Sequence, residues 1–502
     1  MQAFISIDIG TTNTKGLLVD ESGKPHASFA VRHLIKSPVT GWAEHDMEAN
    51  WWGDAVAVIR GLLLQSGIAP DSVQAVMLSG VCPTLGFTDK NGKPLRNGII
   101  QSDGRVPQKS LEDFGLTPWD HWGPCSYLLP NLIWLTENEP EVIEQARMLF
   151  YPHSYLFYRL TGKYWIDFNT PCWYAPLYDK EKRAFDRSAV DAIGLKNCEL
   201  PQVHAPIEFA DAITKEAAET TGLSINTKVL VGTGDFYLSM MAAGVQYPGD
   251  ATLYFGSTGF VFILNENMKT ILERPTQSGM AGDPIQFGPC FPVSGILLEW
   301  FCENFARYEA DRIIQKEPNI FKFLDSEAEK LPIGADHLLF LPHMNGERNP
   351  TQDPAARGVL FGLNLNHNVV SVYRAIMESY CYSVRHAIET MEAEKDIAHI
   401  KRWSLSGGGA KSSLWRQMTS DTLNIENRYY PHGDECLAGA YLAMMGCGFY
   451  QDFDCFYSQW LGQQCIYTHP SSGNAVQYNK VFHVYKNIYD RLKGSYTDLE
   501  LF

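Results

Sequence analysis

The feature that most constrains the fold is a unit of strand, glycine turn and strand that occurs twice, about one half-chain apart. The first unit covers residues 4–20 and the second covers residues 251–264. In each, an apolar strand enters a turn of glycine and hydroxyl residues, and a second strand leaves it. Repetition of one unit predicts two related domains. The alternative is that two unrelated β-hairpins share a common pattern.

The rest of the chain alternates strands with helices, which favours an α/β architecture. Apolar residues recur at helical spacing in several segments, with short apolar strands between them. The predicted helices are 51–64, 296–305, 369–391, 413–423 and 437–445, and the predicted strands include 73–78, 229–231 and 402–405. The last helix is rich in small residues, which predicts close packing. We expect the aromatic-rich tail from Tyr450 to pack on the second domain.

Composition excludes several classes of protein. A chain of 502 residues has room for two to four domains. The formal net charge of -16 disfavours a nucleic-acid partner, because an acidic surface repels phosphate backbones. No apolar run approaches the ~20 residues that cross a bilayer, so no membrane partner is predicted. Eleven cysteines without a C-x-x-C pair, and a first segment typical of a strand, predict a reducing, cytoplasmic location.

The first glycine turn has the chemistry of a phosphate site. Gly10, Thr11 and Thr12 supply consecutive N–H groups and hydroxyls, which together form a concave anion site. Lys15 adds a positive charge close by. Asp8 ends the buried strand before the turn, where a carboxylate is a natural Mg²⁺ anchor. The alternative is that Asp8 merely caps the turn.

The second glycine turn repeats this chemistry without a carboxylate. It consists of Gly256, Ser257, Thr258 and Gly259. Turns of this composition are common, so the motif is weak alone. As a pair, the two turns predict that a polyphosphate is held from both sides.

A single aspartate near the predicted domain junction is a candidate for proton transfer. Asp235 follows Gly232-Thr233-Gly234 and begins a predicted helix at 236–243. One interpretation is an N-cap aspartate, which is common. The other is a carboxylate that accepts the hydroxyl proton when a phosphoryl group moves to an alcohol.

A glycine-rich stretch between a strand and a helix predicts a further ligand contact. It contains Gly407, Gly408, Gly409, Ala410 and Ser412, and it offers helix N-terminal N–H groups. A Walker A loop is excluded because Ala410 stands before the lysine. A Rossmann fingerprint is excluded because Ser412 takes its last glycine position. The remaining alternative is a flexible turn.

These four segments, in this order and at these separations, resemble the FGGY carbohydrate kinases of the actin-like ATPase-domain superfamily. The resemblance runs from Ile5 to about Gly446. Other stretches resemble the family as well, including residues 41–46 (GWAEHD), 103–105 (DGR), 346–348 (GER) and 356–363 (ARGVLFGL).

The resemblance implies two actin-like, ribonuclease H-like domains that flank a deep cleft for ATP and sugar. Residues 1–246 would form the sugar-binding domain with the catalytic Asp235, and residues 247–502 the nucleotide-binding domain with the aromatic tail. Asp8 and Asp235 match the carboxylates near Mg²⁺ and the phosphates. The two glycine turns with Lys15 match the phosphate contacts, and residues 407–412 match the adenosine loop.

Within the family the chain is most similar to the xylulose kinases, with changes where the sugar is read. Those enzymes carry Gln-Met-His where this chain has Val81, Cys82 and Pro83, and they have asparagine where this chain has Phe236. They also have tryptophan before the segment that begins at Asp103, and the family favours lysine at the position of asparagine 131. Cys82, Pro83, Asp103 and Phe236 are therefore the predicted substrate residues. Losing a polar group that bonds a sugar hydroxyl costs specificity, which counts against D-xylulose.

Together these observations predict a kinase that moves a phosphoryl group from ATP to a primary hydroxyl of a small sugar, such as a ketopentose or a related polyol. Related kinases suggest a homodimer. One alternative is a non-catalytic sugar or nucleotide sensor, and retention of Asp8, Asp235 and both turns argues against it. Another is an actin-like chaperone or filament protein with its own ATPase activity. The segments at 346–348 and 361–363 favour the sugar kinase.

Overall fold

Two β-sheets with their helices organise the computed structural model of the chain, which confirms the predicted α/β class. The structure describes residues 1–106, 128–174, 177–256, 258–273, 278–279, 283–291, 293–308, 310, 319–344, 346–394 and 397–499. The chain divides into two compact units. The first is Met1–Gln246, Glu266–Ile285 and His432–Gln463, and the second is Tyr247–Asn265, Gln286–Pro431 and Gln464–Phe502. The chain passes from the first unit to the second after Gln246 and then returns to the first unit twice.

The first unit is built on a sheet with the strand order β5-β6-β4-β1-β2-β3, and β7 pairs with β4. Its strands are β1 (Ala3–Ile9), β2 (Asn13–Asp20), β3 (Pro25–Arg32), β4 (Val73–Gly80), β5 (Phe209–Ala210), β6 (Lys228–Leu230) and β7 (Thr233–Gly234). β1 is buried along its whole length, as a central strand with an almost continuous apolar sequence should be. It pairs antiparallel with β2 and parallel with β4.

The second unit repeats this arrangement. Its sheet has the order β10-β9-β8-β11-β12-β13. The strands are β8 (Asp250–Phe255), β9 (Gly259–Leu264), β10 (Ile285–Phe291), β11 (Arg402–Ser406), β12 (Asn427–Tyr429) and β13 (Ile466–Thr468). β8 and β9 form an antiparallel hairpin, and β11 lies parallel to β8, as β4 lies parallel to β1. This is the order expected of two related domains.

Helices of the first unit cover its sheet and enclose one apolar core, which includes Ile5, Val58 and Val76. They are Asp54–Ser66, Leu129–Asn138, Pro140–Gln145, Pro152–Thr161, Arg187–Ala192, Lys215–Thr221, Asp235–Ala242, Met268–Glu273 and Glu435–Gly446. The predicted close packing of the last of these is confirmed at Gly439, where an added Cβ would lie 2.1 Å from Ser6 Oγ. The glycine therefore sets how closely this helix approaches β1.

Helices of the second unit surround a second apolar core, with Leu253, Tyr380 and Trp415 among its members. They are Gly295–Phe305, Ile320–Ala328, Val369–Glu394, Ser413–Leu423 and Ser472–Leu499. The helix predicted at 413–423 begins and ends as expected, because Ser412 caps its first turn and Asn424 follows in the left-handed conformation.

Shorter elements complete the two units. Four strands form a small sheet in the order Glu44–His45, Gly98–Ile100, Thr84–Thr88 and Met148–Phe150. Three two-stranded pairs are Tyr178–Asp179 with Ala184–Phe185, Gln202–His204 with Trp165–Asp167, and Leu339–Leu341 with Val359–Phe361. The strand Ser278–Gly279 pairs with β10 and forms the edge of the second sheet. The π-helices are Met47–Gly53 and Phe456–Leu461, and the 3₁₀ turns are Pro70–Ser72, Thr170–Tyr174, Gly409–Lys411 and Gly462–Gln464.

The aromatic-rich tail corrects one expectation. The part of it up to Gln463 belongs to the first unit, not the second. There Tyr450, Phe456 and Trp460 surround the ring of Tyr441, with centroid distances of 4.6, 5.1 and 5.0 Å. The prediction failed because composition shows that a segment will pack, but it does not show on which surface. Only the chain from Gln464 onward lies with the second unit.

Two general features bear on the predicted environment. None of the helices formed by the described residues is both long and apolar enough to cross a membrane. The cysteines within the described ranges are free thiols, and most of them are buried.

Candidate active site

Three segments predicted to be functional begin at the same edge of the first sheet. β1 and β4 are parallel, with Asp8 opposite Ser79 and Ile9 opposite Gly80. β7 is also parallel to β4 and places Gly234 opposite Gly80. Because parallel strands end at a common edge, the glycine turn after β1, residues 81–83 and Asp235 all begin there.

The turn after β1 is closed by backbone rather than by Asp8. The N–H of Gly10 donates to the carbonyl of Asn13 at 3.0 Å. Thr11 is half-buried, and its Oγ1 accepts a hydrogen bond from Gln101 Nε2 at 3.0 Å. Thr12 is exposed. The turn therefore presents a threonine and its backbone to solvent, as an anion-binding turn must.

Asp8 is buried beneath this turn, with 4% of its surface exposed. Its Oδ1 accepts a hydrogen bond from Ser79 Oγ at 2.5 Å, and its Oδ2 lies 3.7 Å from Lys15 Nζ. Burial raises the pKa of the Asp8 carboxyl, although the charge of Lys15 opposes the rise. The capping role considered for Asp8 is not seen, because its partners come from neighbouring strands.

Lys15 lies opposite Asp8 on β2 and faces three carboxylates. Its Nζ forms a very short contact with Glu435 Oε2, and it lies 3.9 Å from Asp434 Oδ2. Burial alone would lower the pKa of Lys15, but Asp8 and then Glu435 outweigh burial and raise it. The lysine is therefore a fixed positive charge beside the turn.

Glu435 is a residue of this site that the sequence did not indicate. It begins the Glu435–Gly446 helix, after the N-cap Asp434. Ser239 Oγ donates to its Oε1 at 3.0 Å. Burial would raise the pKa of Glu435, but the contact with Lys15 lowers it. Two acids before a small-residue helix are typical of a cap, so their place beside Lys15 is evident only from tertiary structure.

Asp235 begins the Asp235–Ala242 helix and is partly exposed. Backbone hydrogen bonds from Phe236 and Cys82 reach its carboxyl. Burial raises the pKa of Asp235 well above the usual range, and the charges of Asp8 and Glu435 raise it further. A carboxylate in such surroundings has an increased affinity for a proton.

Three of the four predicted substrate residues lie beside Asp235. Cys82 Cβ lies 3.1 Å from the position of a Cβ added to Gly234. Burial raises the pKa of the Cys82 thiol, and the charges of Asp235 and Asp167 raise it further. Pro83 is buried, and so is Phe236, whose ring meets Trp173 edge to face at 6.4 Å. The wall beside the carboxylate is therefore largely apolar.

Asp103, the fourth predicted substrate residue, is engaged in a buried network. Its Oδ1 accepts from Arg105 Nε at 2.8 Å, and its Oδ2 accepts from Arg105 Nη2 at 2.8 Å and from the N–H of Ala43 at 2.6 Å. The Arg105 guanidinium lies over the rings of Trp42 and Trp134, at 4.1 and 5.1 Å from their centroids. These contacts explain why the DGR segment has an acid and an arginine two residues apart.

In the second unit, both predicted nucleotide segments leave one edge of the sheet. β8 is parallel to β11, with Tyr254 opposite Ser406, so the turn at 256–259 and the stretch at 407–412 are neighbours. Gly407 has φ +83°, and an added Cβ would lie 2.6 Å from the carbonyl oxygen of Phe255. Only glycine permits this approach.

The groups that these two segments offer are limited. Gly256 donates its N–H to the carbonyl of Thr258 at 3.1 Å, and a Cβ on Gly259 would lie 1.8 Å from Tyr380 Oη. A Cβ on Gly409 would lie 2.7 Å from the ring of Trp415. Ser257 lies outside the described residues. The exposed members of the two segments are Thr258, Gly408 and Lys411.

The last residues of the glycine-rich stretch are used by the fold. Ala410 is buried, and Ser412 caps the following helix by accepting the N–H of Trp415 at 3.0 Å. A ligand at this stretch would therefore meet backbone rather than these two side chains.

Comparison with known proteins gives matches along nearly the whole chain. The FGGY family of carbohydrate kinases matches through its N-terminal domain at residues 3–112 and 124–242, and through its C-terminal domain at residues 251–447. The xylulose kinase of Bacillus subtilis (strain 168) is 27% identical over 520 aligned residues, covering 100% of this chain and 99% of that protein. The L-xylulose/3-keto-L-gulonate kinase of Escherichia coli (strain K12) is 27% identical and covers 90% of each.

Solved structures agree with the sequence matches. The xylulose kinase from Rhodospirillum rubrum superimposes with a TM-score of 0.80 at 25% identity, covering 99% of this chain and 100% of that one. The gluconate kinase from Lactobacillus acidophilus has a TM-score of 0.81 at 22% identity, covering 99% of both chains. These neighbours confirm the two-domain, actin-like fold. The chain therefore belongs to the FGGY family of carbohydrate kinases and is an ATP-dependent sugar kinase.

Proposed function

We propose that this kinase phosphorylates a primary hydroxyl of a small keto sugar, such as a ketopentose, or of a related polyol, with Asp235 as the proton acceptor. The observation that carries the proposal is the common sheet edge in the first unit. There a carboxyl with raised proton affinity lies beside the Gly10–Thr12 turn and the charge of Lys15. Phosphoryl transfer to an alcohol needs these two parts together.

The proposed step is an in-line displacement. The sugar oxygen forms a bond to the γ-phosphorus of ATP as the bond from that phosphorus to the ADP oxygen breaks, and the hydroxyl proton passes to the carboxylate of Asp235. The position of Asp235 at the sheet edge that it shares with the Gly10–Thr12 turn supports this role. The turn amides and Lys15 would stabilise phosphate charge without moving.

The residues present fit a magnesium ion. No group of three His, Cys, Asp or Glu side chains within the described ranges could hold a metal without other ligands. Mg²⁺ is commonly held by one or two carboxylates together with substrate phosphates. Asp8 and Asp235 are the carboxylates that would hold it. When bound, the ion supplies positive charge that offsets the charge of the phosphates.

The nucleotide is proposed to contact the second unit at its two glycine segments. Thr258 is exposed between Gly256 and Gly259, and Gly408 is exposed in the glycine-rich stretch. Backbone groups at such turns are suited to anions and to the flat faces of nucleosides. The positions of the two segments on neighbouring parallel strands support a single ligand for both.

The apolar wall formed by Cys82, Phe236 and Trp173 supports a substrate other than D-xylulose. A sugar hydroxyl directed at this wall would lose a hydrogen bond to water without gaining one. We therefore propose a substrate that presents carbon-bound hydrogens there. Two relatives carry the names probable L-xylulose kinase and L-xylulose/3-keto-L-gulonate kinase, and these names support a keto sugar other than D-xylulose.

A substrate panel tests the proposal. ATP consumption is measured with D-xylulose, L-xylulose, 3-keto-L-gulonate, gluconate and glycerol, and the product is identified by mass spectrometry. We expect turnover with L-xylulose or 3-keto-L-gulonate to exceed turnover with D-xylulose. ATP binding without turnover on any compound would favour the sensor. ATP hydrolysis that does not depend on sugar would favour the actin-like ATPase.

Three further expectations stay proposals. They are the division into family domains at residues 1–246 and 247–502, a cytoplasmic location, and a homodimer. Sedimentation of the purified chain tests the homodimer, because monomer and dimer differ twofold in mass.

A further inference from the structure

The turn that we propose to bind phosphate is held from behind by two histidines. His33 Nε2 lies 3.2 Å from the carbonyl oxygen of Gly10, and His45 Nε2 lies 2.9 Å from that of Thr11. The backbone N–H of His33 donates to the carbonyl of Thr12 at 2.9 Å. Each of three successive carbonyls of the turn therefore has a histidine nitrogen within hydrogen-bond distance.

His45 is held in one tautomer by its neighbour. The indole Nε1–H of Trp51 donates to His45 Nδ1 at 3.3 Å. Since Nδ1 accepts this bond, the ring proton lies on Nε2, which faces the carbonyl of Thr11. Both His45 and Trp51 have 0% exposure, so water does not compete for these groups.

His33 is fixed by a carboxylate. Its Nδ1 lies 2.9 Å from Asp54 Oδ2, and Asp54 begins the Asp54–Ser66 helix. The rings of His33 and His45 meet edge to face at 4.8 Å. The pair is thus anchored to the helix through Asp54 and to the preceding π-helix through Trp51.

The orientation of the carbonyls determines where the turn amides point. In a trans peptide the C=O and N–H groups point in opposite directions. With the carbonyls of Gly10 and Thr11 directed at the histidines, the N–H groups of Thr11 and Thr12 are directed away from them. Neither N–H has an acceptor among the described residues. Adjacent free amides of this kind form an anion site.

We infer that His33 and His45 are positioning residues that orient the peptides of the Gly10–Thr12 turn, so that the N–H groups of Thr11 and Thr12 face the phosphates of ATP. The inference rests on the proposed function of this turn. Neither histidine is assigned a contact with ATP or sugar. Their effect passes through the backbone, which limits it to the affinity for nucleotide.

Matched substitutions at His45 test the inference. His45→Phe keeps a ring against Trp51 but removes the donor, whereas His45→Gln keeps an N–H donor at a similar reach. The dissociation constant of MgATP is measured by calorimetry without sugar. We expect His45→Phe to weaken MgATP binding about five- to tenfold, and His45→Gln to recover most of the loss. The KM for sugar should be unchanged.

A second variant and a control guard against misfolding. Trp51→Phe removes the N–H that fixes the His45 tautomer, together with part of the buried indole ring, and we expect it to weaken MgATP binding about two- to threefold. His26→Gln alters a histidine on β3 whose Nε2 contacts Asp20 Oδ2 at 2.8 Å, and binding should not change. Equal MgATP affinity in parent, His45→Phe and Trp51→Phe would overturn the inference.

The outcome for the inference is separate from the outcome for the proposed function. If the parent binds MgATP but phosphorylates no sugar, the proposed function fails, and the comparison of affinities still decides the role of the histidines. If the parent phosphorylates sugar and His45→Phe binds MgATP as tightly as the parent does, only the inference fails. A parent that binds no MgATP contradicts both.

Discussion

Lys15 carries its charge among Asp8, Asp434 and Glu435, and this is the residue-scale feature on which the proposed chemistry most depends. One cation faces three carboxylates here, and Asp235 adds a further acid nearby. Such a site repels a polyphosphate unless cations accompany it. This imbalance supports the proposal that the nucleotide is bound with magnesium rather than as free ATP.

Glu435 gives the first prediction at this scale. Glu435→Gln removes the negative charge from the shortest contact of Lys15, so the ammonium is held less firmly beside the turn. We expect kcat/KM for ATP to fall about ten- to hundredfold, and stability to fall by about 1–3 kcal/mol. Ser239→Ala is the control, since it removes one hydrogen bond to Glu435 but leaves the charge. Unchanged kcat/KM in Glu435→Gln would show that Lys15 needs no such partner.

Phe236 gives the second prediction at the residue scale. Phe236→Asn replaces the apolar wall with the residue that the xylulose kinases usually carry. We expect kcat/KM for the preferred sugar to fall at least about tenfold, and the ratio for D-xylulose over that sugar to rise. Phe236→Leu keeps the wall apolar and should leave the ratio unchanged. If both variants keep the parent's ratio of kcat/KM values for the two sugars, Phe236 does not determine sugar specificity.

At the scale of elements, the helix Glu435–Gly446 carries Glu435 to the site. Its close approach to β1 depends on Gly439 against Ser6. Stability and site geometry are therefore linked at one position, although Gly439 itself is a full turn away from Glu435.

Gly439→Ala tests this link. The added Cβ would lie 2.1 Å from Ser6 Oγ and 3.1 Å from Ser6 Cβ, so Ser6 or the helix must shift, which should cost about 1–3 kcal/mol and lower kcat/KM for ATP. Gly494→Ala is the matched control, because Gly494 is exposed in the Ser472–Leu499 helix with nothing within 4 Å of its added Cβ. It should leave activity unchanged and raise stability by up to about 1 kcal/mol. Urea titration and steady-state kinetics check both variants.

Elements defined by local pattern were predictable from the sequence. The glycine turns at 10–12 and 256–259, and the helix at 413–423, follow from residues that are neighbours in the chain. Glu435 in the site, Asp103 in a buried network and Tyr450 in the first unit could not be predicted in this way. Each depends on which distant strand or ring packs against the residue, and the spacing of residues along the sequence does not show such long-range contacts.

The whole molecule contains two sheets of the same strand order, and each unit buries a neutral histidine. Burial lowers the pKa of His45 in the first unit to about 4, and it lowers the pKa of His343 in the second unit to about 4. An unfolded histidine has a pKa near 6.5. Acid should therefore weaken both units.

The sign of this effect is definite. Because the folded pKa of His45 lies below the unfolded value, its contribution to stability is complete above pH 6.5 and is lost as the pH falls toward 4. The loss amounts to about 3 kcal/mol at pH 4. His45→Gln should lose that much less stability between pH 7 and pH 4 in urea titrations. A variant whose stability follows the same pH dependence as the parent would contradict the neutral state of His45.

The central claim is that the carboxylate of Asp235 takes the proton of the sugar hydroxyl, and rapid-quench measurement of Asp235→Asn tests it most directly. Asparagine keeps the shape of the side chain but cannot accept the proton. The account predicts that the variant still binds MgATP, with a modest loss of affinity because one proposed magnesium carboxylate is gone, and that at saturating MgATP it forms sugar phosphate about 10²–10⁴-fold more slowly. Sugar phosphate formed at the parent rate would contradict it.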